Sequence, residues 1–121
     1  MNNRLDQRFI NMAIKIRKDF LKSLKEATQK QEIVNHYLNE LNDLKNDLDN
    51  SKNDEDLVSK LRVIEQKIKV IENEMSVLVE KRSNLEKEEI QLLDMIKERY
   101  PDITENELKE QIYPHIQNLT V

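Results

Sequence analysis

Seven apolar residues, Leu57, Leu61, Ile64, Ile68, Ile71, Met75 and Leu78, recur at alternating steps of four and three. A chain that repeats its apolar residues every 3.5 positions has one economical way to hide them, which is to lay one helix along another. Nothing nearby interrupts the helix: the 121 residues include no glycine, and the two prolines, Pro101 and Pro114, both lie beyond residue 100. Composition agrees, because 36% of residues are charged and only 4% are aromatic. That balance suits helices that each need a narrow apolar stripe rather than a globular core.

A first helix is predicted from about residue 5 to 48. Its second half carries Val34, Tyr37, Leu41, Leu44 and Leu48 at the same 3.5-residue period, so this stripe can face the one on the later helix. Its first half is broader. Phe9, Ile10, Met12, Ala13, Ile14, Ile16, Phe20, Leu21 and Leu24, projected at about 100° per residue, cover roughly 200° of the helix surface, about twice what one partner needs.

Eight polar residues from Asp49 to Asp56 form the one credible break, and the turn is placed at 49–53. Ser51 with Asp54, or Asn53 alone, would cap a second helix of about 54–99. Two helices of matched length joined by a short polar turn predict an antiparallel hairpin. Pro101 ends the second helix, because the residue before a proline is pushed out of the helical region. Thr104-Glu105-Asn106-Glu107 is a capping box that opens a short C-terminal helix over about 105–119, with Pro114 dividing it near Tyr113. Its stripe of Leu108, Ile112, Ile116 and Leu119 is expected to fold back on the broad face between Phe9 and Leu24. The fold class is therefore all-α, an elongated antiparallel helical hairpin or coiled coil with a short C-terminal helix, in a single domain of residues 1–121.

Continuing the seam beyond Leu78 brings Arg82, Leu85, Glu89, Leu92 and Ile96 into line, so two of five seam positions are charged. Val77, Val79, Ile90, Leu93 and Met95 widen the apolar surface around the same stretch, and together these features predict more than two helices at that end.

Charge is segregated within a net of −4. Residues 1–30 carry eight basic against three acidic side chains, and residues 31–57 carry two against eight. In a hairpin the basic start lies beside the acidic C-terminal tail, so opposite charges can meet within one molecule. The competing reading makes Arg8, Lys15, Arg17, Lys18 and Lys22 a phosphate-contacting arm for nucleic acid. Membrane contact is disfavoured, because the apolar stripe beside these lysines continues into a heptad that a partner helix would cover.

The chain has no cysteine, and its histidines, His36 and His115, fall in no metal-binding spacing. The lack of glycine removes the usual phosphate-cradling loop. No enzymatic activity, cofactor or metal is expected. No apolar run reaches the length of a membrane span and the N-terminus has no signal-peptide pattern, so an intracellular protein, cytoplasmic or carried in a virion, is expected. The sequence points to a non-catalytic subunit that packs against other helices, as a hetero- or homo-oligomer. Phe9, Met12, Ile16, Phe20 and Leu24 join the seven seam residues from Leu57 to Leu78 as its expected protein-interface positions.

Overall fold

The computed structural model describes residues 4–50 and 54–119. Helix α1 runs Gln7–Asn50 and α2 runs Glu55–Arg99, the two arms of a helical hairpin. Two short helices follow, α3 (Glu105–Gln111) and α4 (Tyr113–Ile116).

Each boundary has a local cause. Asp6 opens α1: its carboxylate accepts the Arg8 N–H at 2.9 Å, and its carbonyl accepts the Phe9 N–H at 3.0 Å. Leu5, expected inside the helix, lies ahead of it. Asp54 opens α2, its side chain accepting the N–H groups of Asp56 (3.0 Å) and Leu57 (3.3 Å). The alternative caps, Ser51 and Asn53, lie outside the described residues. The acidic Glu55 and Asp56 then occupy the first turn, and Lys97 and Arg99 the last, which suits the helix dipole at both ends. Pro101 stops α2 as expected. It sits second in a turn closed by the Ile103 N–H donating to the Tyr100 carbonyl at 3.0 Å. Thr104 caps α3 by accepting the Glu107 N–H at 3.2 Å. Pro114 stands in the first turn of α4, where a missing N–H costs nothing, and the chain bends at Ile112 between the two helices.

The chain gathers into two compact units, Met1–Lys25 with Glu80–Val121, and Glu26–Val79. In the second of these, α1 and α2 zip along the predicted seam. Val34, Ile64 and Ile68 are buried, with Tyr37, Leu41, Leu44, Ile71 and Met75 packed against them. Burying each such side chain stabilises the fold by about 1.5–3 kcal/mol. A Lys30–Glu74 ion pair of 2.7 Å links the two arms, and Lys67 Nζ stands 5.7 Å from the centre of the Tyr37 ring.

In the other unit, Leu5 ahead of α1, Ile10 of α1, Leu92 and Ile96 of α2, Leu108 of α3 and Ile112 between α3 and α4 form one core. Phe9, Ala13, Ile14 and Ile16 of α1 pack on it together with Ile103 and Ile116. The broad face of α1 thus has the two neighbours its width called for, and one of them is the C-terminal segment. The additional packing on α2 comes at Leu92, Leu93 and Ile96. Val77, Val79, Ile90 and Met95, expected to widen that contact, are instead exposed by 45–63%. Of the two charged seam positions, Arg82 is half-buried between the buried Leu78 and Leu85, and Glu89 is exposed between the buried Leu85 and Leu92.

Candidate interaction surface

Three features of the described surface have enough structure to act on something. The first is the junction of the chain ends. Arg4 faces Glu107 with two N–H donors, at 2.6 and 3.0 Å, and reaches both carboxylate oxygens of Asp102 at 3.2 Å. These hydrogen bonds raise the Arg4 guanidinium above its ordinary value, those to Glu107 contributing most, and the Asp102 carboxyl is lowered chiefly by its hydrogen bonds from Arg4. Beside them the Leu5 N–H donates to Oε1 of the buried Gln111 at 2.9 Å, and the Asp6 N–H donates to the Tyr100 hydroxyl at 3.0 Å. Phe9 meets the Tyr100 ring edge-on with centroids 6.2 Å apart. The capping-box glutamate has been recruited: Glu107 donates its backbone N–H to the cap while its carboxylate binds Arg4. The expected meeting of the basic start and acidic tail takes place here, through Arg4 with Glu107 and Asp102.

The second feature is a cavity of about 270 Å³ among the α1 start, the α2 end, α3 and α4. Ile16, Phe20, Leu92, Ile112 and Ile116 give it apolar walls, and Arg17, Lys97, Glu86, Glu89 and Glu105 also line it. Arg17 lies over the Phe20 ring, 5.8 Å from its centre. Two cations among three carboxylates select no ligand charge, and the volume is at the small end for a ligand site.

The third feature is a row of valines on α2. Val63, Val70 and Val77 are exposed by 53%, 46% and 63%. Spacing of seven keeps them in one line along a helix whose seam also repeats every seven residues. Each immediately precedes a seam residue, Ile64, Ile71 or Leu78, so the row lies about 100° around the helix from the seam, with Lys60, Lys67, Glu74 and Lys81 between them. Ile33 of α1, exposed by 46%, belongs to the same unit.

Of the interface positions read from sequence, Phe9 and Ile16 pack on the core of one unit, and Phe20 is half-buried against the cavity. Met12 and Leu24 remain exposed. Ile64, Ile68, Ile71 and Met75 are engaged with α1, Leu78 is buried, and Leu57 and Leu61 are half-buried. Of the phosphate candidates, Arg8 holds Asp6 at 2.8 Å and Lys15 shares a groove with Asp19 and Glu88. Lys18 and Lys22 are exposed. His36 Nε2 stands 2.9 Å from the Glu40 carboxylate one helical turn on, an ion pair when the ring is protonated. Among the described residues no three metal-ligating side chains cluster, and no helix is long and apolar enough to cross a membrane. The sequence reading missed the valine row as a unit, although its signal, three apolar residues at intervals of seven beside the heptad, is present in the chain. Comparison with protein families, with curated proteins and with solved structures finds no match to this chain.

Proposed function

We propose that this protein is a non-catalytic assembly subunit that joins a larger structure by packing a helix face against a protein partner. The observation that carries the reading is the exposed row of Val63, Val70 and Val77. The intrachain seam already satisfies the hairpin, and lone exposed valines need no explanation. Three in register with the heptad form a short apolar line of their own, set apart from the seam, that a further helix can cover, in the way coiled-coil proteins build bundles.

A photo-crosslinking residue placed at Val70, in cells that naturally make the protein, tests this. A protein adduct of discrete mass at Val70, with none from the same probe at Glu72 on the other flank of α2, is the expected outcome. No discrete adduct at any of the three valines would remove the assembly reading.

A further inference from the structure

We propose that residues 4–6 are a strap that locks the C-terminal segment, residues 102–119, onto the ends of α1 and α2, and that strap and segment open together as one unit while the α1–α2 seam stays closed. This conformational device stands independently of the assembly reading above.

The distribution of polar contacts carries it. Among the described residues, the side-chain hydrogen bonds that tie 102–119 to the rest of the chain all involve Arg4 or Leu5: the Arg4 guanidinium donates to Asp102 and Glu107, and the Leu5 N–H donates to Gln111. Two neighbouring residues thus hold the start of the segment, the first turn of α3 and its last residue. The foot of the strap is fixed as well, because Asp6 opens α1 while its N–H donates to the Tyr100 hydroxyl just beyond α2.

The segment needs such a lock. Helix α3 has seven residues and α4 has four, and isolated helices shorter than about 12–15 residues are marginal in water, so both persist only while docked. Their docking residues, Leu108 and Ile112, share a core with Leu5. Withdrawing the strap therefore removes a core side chain and the polar ties in one step. The joint on which the segment swings is the turn at Pro101, closed by the Ile103 N–H on the Tyr100 carbonyl. Opening bares Ile10, Leu92 and Ile96, which are 2%, 3% and 0% exposed when the strap is closed. Val34, Ile64 and Ile68 form a separate core, so the seam has no need to open with them.

Native-state hydrogen exchange of the full chain tests this. Leu5→Ala should speed exchange of the Leu108 and Ile112 amides, which donate within the segment, by about tenfold or more and leave the Ile64 and Ile68 amides unchanged. Glu107→Gln acts from the other side without touching the core. It should speed the Leu5, Leu108 and Ile112 amides by one common factor, because a single opening exposes all three. Glu105→Gln removes a charge from the same first turn and should leave the Leu5 amide at its original rate. Unchanged Leu108 and Ile112 amides in Leu5→Ala would overturn the proposal, as would acceleration of Leu5 alone in Glu107→Gln, since the segment would then stay docked without its strap. Equal acceleration at Ile64 and Ile68 would also overturn it, because the whole hairpin would then be the opening unit.

Discussion

Arg4 and Glu107, 103 positions apart in the chain, meet side-on, with Nε 2.6 Å from one carboxylate oxygen and Nη2 3.0 Å from the other. Paired parallel hydrogen bonds of this kind fix direction as well as distance. They hold the segment ahead of α1 across α3, where Leu5 can reach the core and its N–H can reach Gln111.

That arrangement makes Gln111 a sensitive position. Gln111→Leu keeps the size of the side chain but leaves the buried Leu5 N–H without its acceptor, and should cost about 1–3 kcal/mol. Chemical denaturation measures the loss. Arg4→Ala should leave the helices formed yet speed hydrogen exchange of the Leu5 and Asp6 amides, whose acceptors lie across the same junction. Unchanged exchange in Arg4→Ala would mean that the apolar contacts of Leu5 suffice to hold the segment.

Acid should loosen this end. The Arg8 side-chain hydrogen bonds lead in lowering the Asp6 carboxyl from 3.8 to about 2, with the Arg8 N–H adding to them. A carboxyl lowered on folding contributes stability above its unfolded value and loses that contribution as pH falls towards its folded one. Stability should therefore drop between about pH 4 and pH 2, and Asp6→Asn should flatten that part of the curve. Thermal melts across the range check it; an identical acid slope in Asp6→Asn would assign the loss to other carboxylates, Asp102 first among them.

Core and surface positions on α2 should separate cleanly. Ile68→Ala and Ile96→Ala, at sites exposed by 7% and 0%, should each cost about 2–5 kcal/mol. Ile90→Ala, at a site exposed by 60%, and a neutral replacement of Lys69 should stay within about 0.5 kcal/mol. Equal effects at all four would place the seam on the wrong face of α2.

Duplex DNA gives a separate check on the basic arm. Arg8 is committed to Asp6, and Lys15 lies near Asp19 and Glu88. Any binding at low salt should therefore rest on Arg17, Lys18 and Lys22 and show a log–log salt slope no steeper than about −3, against about −0.9 per neutralised phosphate. Fluorescence anisotropy over a salt series measures it, and a slope of about −4 or steeper would mean that the arm engages DNA with most of its cations.

The sequence by itself determined the hairpin, its seam and most of its punctuation. Ile64 and Ile68 are buried where the 3.5-residue period puts them, because that period is a property of the helical backbone and holds for any partner. Thr104 caps α3 and Pro101 ends α2 because both effects act within a few residues. Even the need for a second neighbour on α1 was legible, as the angular width of the face from Phe9 to Leu24. Only the tertiary structure decided what meets across long separations. Glu107 could have completed its own capping box; the arrival of Arg4 offered its carboxylate two charge-assisted hydrogen bonds instead. Leu5 has the periodicity of a helical residue, but Asp6 captures the first N–H groups and leaves it ahead of α1, in a core built from α2 and α3. Val77 and Leu93 look alike as apolar residues bordering one seam. Leu93 packs on the core that Leu108 and Ile112 share, whereas Val77 stays exposed, a difference that depends on which residues arrive from distant parts of the chain.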